Sequence, residues 1–241
     1  MIDHDPTDLV RRSYDAISYH YRRDDDDAGP YGPWIADLLA RVPAGGAVLD
    51  VGCGCGVPVA RALNAAGRRV TGVDLSAEQV RRARTLMPAA TFLHADATEV
   101  DFPSTAFDAV ISLYALIHMP LRSQPALLAR IATWLRPGGW LLAVTGHDAW
   151  TGVEQDWLGS GQPMWWSQAD AATYRSWIAA AGLVVESERF VPEGSSGHAL
   201  FWARRPDHGK DGRLALDANA NAEVIPTGVP DGRPGRRATR G

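Results

Sequence analysis

Val48-Leu49-Asp50-Val51-Gly52-Cys53-Gly54-Cys55-Gly56 decides the fold. The apolar run AVLDV (47–51) reads as a buried strand that ends directly at glycines. VPVARALNAAG (57–67) then carries the spacing of an amphipathic helix closed by Gly67. In a doubly wound sheet such a strand–turn–helix unit lies where ligands bind, at the carboxyl end of the first strand. Glycine suits that turn because a ligand must approach the backbone closely and because glycine adopts positive φ without strain.

Downstream the rhythm repeats. RVTGVD (69–74) is a second strand, and Ser76 caps the helix AEQVRRARTLM, with Glu78 near its start and arginines toward its end. TFLHAD (91–96) is a third strand, and FDAVISLYALI (107–117) contains a fourth. SQPALLARIATWLRPGG (123–139) reads as a helix stopped by Pro137-Gly138-Gly139, and WLLAVTG (140–146) as a fifth strand. Strands alternating with helices imply βαβ units, a parallel sheet and right-handed crossovers. Residues 147–166 break the pattern and read as Trp-rich and irregular. A helix at about 168–181 follows, ended by Gly182. LVVESERFVP (183–192) and ALFWARR (199–205) should then form an antiparallel hairpin closing the sheet edge across the Gly194–Gly197 turn.

Upstream, residues 7–23 are helix-patterned with Thr7 as N-cap. Asp24–Asp27 interrupts that pattern, Gly29-Pro30 and Gly32-Pro33 mark a loop, and a short helix runs from Trp34 to Arg41. Residues 206–241, rich in Gly, Pro and Asp, read as a disordered tail. The expected organisation is one domain over 1–205, with a helical N-terminal part (1–43) and an insertion (147–166).

The chain has 241 residues, 46% hydrophobic, with a formal net charge of -4. That suffices for one real core and leaves no basic footprint for nucleic acid or an anionic membrane. The longest apolar stretches are strand-sized, far below the roughly 20 residues that span a bilayer. The N-terminus is acidic and polar, and the two cysteines, Cys53 and Cys55, suit neither a disulfide nor a zinc site. A cytoplasmic setting is the expectation.

Two acids extend the glycine turn into a site. Asp74 ends the second strand, where a carboxylate can accept from both ribose hydroxyls of an adenosine. Asp96 ends the third, placed to accept from an adenine amine. A nicotinamide dinucleotide is the rival ligand, but its fingerprint G-x-G-x-x-G is absent; the spacing here is G-x-G-x-G. Asp50, just before the glycines, would repel a pyrophosphate and suits a cationic or amino-bearing ligand.

VLDVGCGCG, VTGVDLS, HADATEVDFPSTAFDAVISLYALIHM and WLRPGGWLLAV resemble the class I S-adenosylmethionine (SAM)-dependent methyltransferases, particularly their small-molecule branch, from Tyr14 to about Arg204. The resemblance implies an α/β, doubly wound, Rossmann-like seven-stranded sheet, mostly parallel with a C-terminal antiparallel pair. It implies that Asp50, Gly52, Cys53, Gly54 and Gly56 meet the methionine moiety. Asp74 with Leu75 would meet the ribose and Asp96 with Ala97 the adenine, while Ser112 to Tyr114 lie beside the sulfonium. Tyr14 and Tyr21 would belong to a lid over the cofactor. S-adenosylhomocysteine would be the product.

Methyl transfer is an in-line displacement at an activated carbon, so the protein mainly positions the acceptor and excludes water. His118 and His147 follow strands four and five and are the candidate bases; the alternative for each is a satisfied loop or core histidine. Nine tryptophans are present, and Trp150, Trp157, Met164, Trp165 and Trp166 of the insertion, with Tyr114 and His118, would wall an apolar, aromatic or cationic acceptor. Glu154 and Asp156 read as solvated. No carboxylate and amide cluster follows strand four, so no metal is implied. The expected partner is a small-molecule acceptor, not nucleic acid or membrane, and the expected state a monomer or homodimer. Two other readings stay open: a SAM-binding enzyme that cyclises rather than methylates, and a non-enzymatic SAM-binding regulator.

Overall fold

The computed structural model describes residues 5–194 and 196–207. From residue 208 onward, the expected tail lies outside them. Helices α1 (Pro6–Tyr21) and α2 (Gly32–Arg41) precede an alternation of β1 (Ala47–Val51), α3 (Val59–Ala65), β2 (Arg69–Asp74), α4 (Ala77–Leu86) and β3 (Thr91–His94). Then come β4 (Phe107–Leu113), α5 (Gln124–Trp134), β5 (Leu135–Gly146), β6 (Trp150–Glu154) and β7 (Met164–Gln168). α6 (Ala171–Ala180), β8 (Val184–Glu193) and β9 (Ser196–Arg204) complete the series.

Seven strands make one sheet in the order β3-β2-β1-β4-β5-β9-β8. The first five are parallel; β9 runs antiparallel to both β5 and β8. The order reverses between β1 and β4, which creates the crevice where such sheets bind ligands. Every residue of β1 is buried, because helices cover both faces. Its side chains alternate: Leu49 and Val51 pack with Val110, Ile131 and Tyr174, whereas Val48 packs with Leu38, Leu63 and Ile111. Among the described residues no helix is long and apolar enough to cross a membrane.

Several local expectations are corrected. The N-cap of α1 is Asp5, not Thr7: its carboxylate accepts from the Thr7 amide at 3.0 Å, and Pro6 opens the helix where no N–H is needed. The third strand stops at His94, so Ala95 and Asp96 lie just beyond it. α5 ends at Trp134 rather than 139. β5 has already begun at Leu135 and carries Pro137-Gly138-Gly139 as a bulge, the register against β4 slipping between Phe107–Leu135 and Ala109–Trp140. A proline lacks the ladder donor and a bulge tolerates that loss. The last helix starts only at Ala171, capped by Asp170, which accepts from the Thr173 amide at 2.7 Å.

The segment 147–166 is not irregular. β6 and β7 pair antiparallel from Trp150–Gln168 to Glu154–Met164 as a sheet of their own. Gly152 permits this, since a Cβ there would come within 2.8 Å of the Trp150 ring. The hairpin packs on α1, with Trp157 and Met164 buried against Val10 and Ile17, and Ser13 Oγ donating to the Pro163 carbonyl at 2.5 Å.

The other flank of α1 is bolted to α4. Asp15 accepts from Ser76 Oγ at 2.7 Å. The Arg82 guanidinium, its side chain only 1% exposed, donates to Ser18 O (2.6 Å), Ser18 Oγ (2.8 Å), Arg22 O (2.7 Å) and Asp24 Oδ1. Arg61 donates to the carbonyls of Asp24 and Asp26. The acidic run that interrupts the helix pattern therefore anchors the strap leaving α1.

Candidate functional site

The site lies where β1 to β4 end. The glycine turn folds back on β2, with Gly52 N and Cys53 N both donating to Val73 O at 2.8 and 3.1 Å. Gly52 has φ +74°, and a Cβ there would sit 2.3 Å from that of Ala115, so only glycine fits. Asp74 joins this turn to the next: Oδ2 accepts from Gly54 N at 2.8 Å and Oδ1 from Ser76 N at 2.9 Å. Asp96 Oδ1 accepts from the amide and hydroxyl of Thr98 at 2.7 and 2.8 Å, so its second oxygen stays open.

Asp50 differs from both. It is 4% exposed, and among the described residues no donor or cation engages its carboxylate. Burial first, and the nearby Asp74 charge second, push its pKa up to about 7. Burial also raises Asp74, against the pull of the Ser76 and Gly54 amides. A buried carboxylate without a partner is costly unless a cation arrives.

Two cavities meet here. The larger, about 710 Å³, is lined among others by Tyr14, Gly54, Asp74, Asp96, Tyr114 and His118, with Leu75 and Ala97 beside the two acids. The smaller, about 450 Å³, is lined by Arg22, Tyr31, Asp50 and the turn residues Cys53 and Cys55. Tyr21, Gly52, Gly54 and Leu113 border both.

His118 lines the larger cavity. Its Nδ1 lies 2.8 Å from the Trp165 carbonyl, so that nitrogen carries the proton and Nε2 is left as an acceptor. Burial lowers its pKa to about 4, so the ring is neutral at neutral pH rather than titrating there. Tyr114 follows β4 at φ +65°, a left-handed conformation that a non-glycine residue adopts only under constraint. Its ring meets His198 edge-on at 5.0 Å, and His198 Nε2 lies 3.1 Å from Glu193.

Not every residue singled out from the sequence reaches a cavity wall. Gly56 faces Met87 and Ala60, and Ser112 is fully buried in the sheet, its hydroxyl without a partner. His147 packs against Phe190 at 4.7 Å. Trp150 is 47% exposed on the hairpin. Trp157, Met164, Trp165 and Trp166 join the cluster beneath α1, where Tyr14 meets Trp157 at 5.3 Å and His118 meets Trp166 at 4.5 Å. They back the residues that line the cavity. Glu154 and Asp156 are exposed. Sequence reasoning missed Val10, Arg22 and Tyr31. Val10 could have been found, since Val10, Tyr14 and Tyr21 share one face of α1 at helical spacing. Among the described residues no group of three or more His, Cys, Asp or Glu could hold a metal.

A family model described as a methyltransferase domain matches residues 48–139. The 27-O-demethylrifamycin SV methyltransferase of Amycolatopsis mediterranei is 40% identical over 102 residues, which are 40% of this chain and 37% of that protein. The chain thus spans little more than a third of that relative. The 1,6-didemethyltoxoflavin-N1-methyltransferase of Burkholderia thailandensis, solved with 1,6-didemethyltoxoflavin and S-adenosylhomocysteine bound, superposes with a TM-score of 0.64. It is 23% identical, over 86% of this chain and 92% of that one. The cyclase SpnF gives 0.64 at 19% identity, over 82% and 95%. At these identities the solved structures speak for fold, while the matched segment carries the strand, glycine turn and acids described above. By sheet, turn and matched core together, residues 48–139 carry a methyltransferase domain of the class I SAM-dependent type.

Proposed function

We propose that this chain transfers a methyl group from SAM to a small, apolar or amine-bearing acceptor, by O- or N-methylation. One observation carries the reading: Asp50, Asp74 and Asp96 stand in order along two joined cavities at the sheet's switch point. Asp96 would take the adenine amine, Asp74 the ribose hydroxyls and Asp50 the methionine ammonium. SAM supplies a methyl group on a positively charged sulfur. The protein's part is placement and exclusion of water. Tyr14 and Tyr21, held by α1, close the cavity. Neutral His118 presents Nε2 as a hydrogen-bond acceptor that can orient a hydroxyl or amine against the methyl carbon, and Tyr114 offers a flat wall. The hairpin tryptophans act from behind, fixing His118 and the lid.

Calorimetric titration with SAM, S-adenosylhomocysteine and NADH tests the scaffold. Micromolar binding of the first two without the third supports it; NADH binding, or none at all, removes it. A screen of aromatic and amine metabolites then separates methyl transfer from a cyclisation or a regulatory role, since only transfer yields S-adenosylhomocysteine in step with a methylated product.

A pH dependence follows from Asp50. Its folded pKa of about 7 lies above the value of an unfolded carboxyl, so the ligand-free protein holds an extra proton between them and loses stability as pH rises through that window. Binding an ammonium needs the ionised form. Affinity for S-adenosylhomocysteine should therefore rise as pH increases toward about 7 and level off above it, with proton release on binding. Asp50→Asn should bind weakly with a flat profile; a flat wild-type profile would remove Asp50 from the ammonium's partners.

A further inference from the structure

We infer that Glu193 and His198, beside the turn that joins β8 to β9, are positioning residues for Tyr114 and so fix the acceptor-side wall of the larger cavity. This rests on the methyl-transfer reading above and deepens it. Tyr114 follows β4, and its ring meets His198 of β9. In the sheet order β1-β4-β5-β9 it therefore reaches across the end of β5, away from Asp74 and Asp96, which lie on the other side of β1. Ala115 comes next in the chain and presses on Gly52, where a Cβ would lie 2.3 Å from its own. The backbone has to turn at once after β4, and Tyr114 takes φ +65°. A bulky residue keeps that conformation only where its surroundings over-determine it. Two rings do so edge-on, Tyr31 at 6.3 Å and His198 at 5.0 Å.

His198 is itself held. It shares a face of β9 with Leu200 and Trp202, is 8% exposed, and pairs in register with Gly146 of β5 and Val191 of β8. A buried imidazole needs partners for its polar atoms. Nε2 lies 3.1 Å from Glu193, and Nδ1 lies 3.3 Å from the Thr145 carbonyl. The carboxylate is the nearer acceptor and bears the charge, so Nε2 carries the proton and donates to it. That bond sets the plane of the imidazole, and the imidazole sets the ring of Tyr114. Neither Glu193 nor His198 borders the two cavities, so both act through Tyr114, which does.

The test labels the full chain with 3-fluorotyrosine and reads its fluorine NMR spectrum in the presence of S-adenosylhomocysteine. Six tyrosines give six signals, and Tyr114→Phe identifies that of Tyr114. Glu193→Ala and His198→Ala should each displace the Tyr114 signal and leave the others in place, neighbouring Tyr31 excepted. The double variant should add nothing to either single one, because both residues act along one line of contact. Glu193→Gln, whose amide oxygen still accepts from Nε2, should restore the wild-type signal. S-adenosylhomocysteine affinity should stay within about twofold in all three Glu193 and His198 variants, which also reports an intact fold. Phenol, added as a small aromatic probe to the S-adenosylhomocysteine complex, should move the wild-type Tyr114 signal and bind Glu193→Ala about tenfold more weakly. A Tyr114 signal indifferent to either alanine, or no rescue by glutamine, would overturn the inference. So would a shift of all six signals, or phenol binding that the variants do not alter. A tenfold loss of S-adenosylhomocysteine affinity would place the ring against the cofactor and overturn it as well. Failure of the wild type to bind S-adenosylhomocysteine would remove the SAM reading instead, while the Tyr114 signal would still decide the positioning.

Discussion

Asp74→Ala should weaken S-adenosylhomocysteine binding by at least about a hundredfold. Two contributions combine. A carboxylate accepting from ribose hydroxyls makes charge-assisted bonds of about 1.5–3 kcal/mol each, and tenfold in affinity corresponds to about 1.4 kcal/mol. The same carboxylate holds Gly54 N and Ser76 N, so alanine also frees two amides that shape the binding turns. Asp74→Asn should not rescue, because one of its two positions would set an NH2 against an amide N–H. A second signature separates this from simple loosening. Asp74 is among the causes that raise Asp50, so its removal should move the pH at which affinity falls to lower values. Affinity within a factor of about two of wild type would sink the ribose assignment.

Arg82→Met should lower stability by about 3 kcal/mol, which for a chain of this size moves the melting temperature by about 10 °C. The loss comes from the carbonyls of Ser18 and Arg22 and the Ser18 hydroxyl, all left without the donor they now share. Asp24 is 45% exposed and can be hydrated, so it adds less. Arg82→Lys keeps the charge but cannot reach four acceptors from one point, and should recover only a small part. Hydrogen exchange should show the amides of α1 opening well before those of β1. A variant that melts as wild type, with α1 equally protected, would show that the hairpin alone holds the helix.

The sheet was legible in the sequence because its signals are local. An apolar run ending at Gly52, an acid closing RVTGVD and the glycines Gly67 and Gly182 after two of the helices can be recognised without knowing what lies opposite. The β6–β7 hairpin was not. Its Trp-rich strands look like a pocket wall until their register against each other and their burial on α1 are known. Arg82 was hidden for the same reason: its partners are set by how α1 crosses α4, with Asp24 fifty-eight positions from it. His118 was placed correctly at the strand end, but its neutrality follows from burial and from Trp165, neither visible in a motif. Pro137-Gly138-Gly139 misled because the residues that stop a helix also make a bulge.

The small β6–β7 sheet completes its ladder internally, and its two ends meet. Gly146 and Ala169 are so close that a Cβ on the former would lie 2.5 Å from the carbonyl of the latter, and Ala171 N reaches back to His147 O at 3.0 Å. A cassette with adjoining ends can be lengthened or exchanged at an entropic cost that grows only as the logarithm of its length. The seven-stranded sheet would not register the change. The helix lying on the cassette would, since Trp157, Met164 and the Pro163 carbonyl hold one of its flanks. Grafting at this junction is thus a route to retune what the scaffold encloses while leaving its foundations untouched.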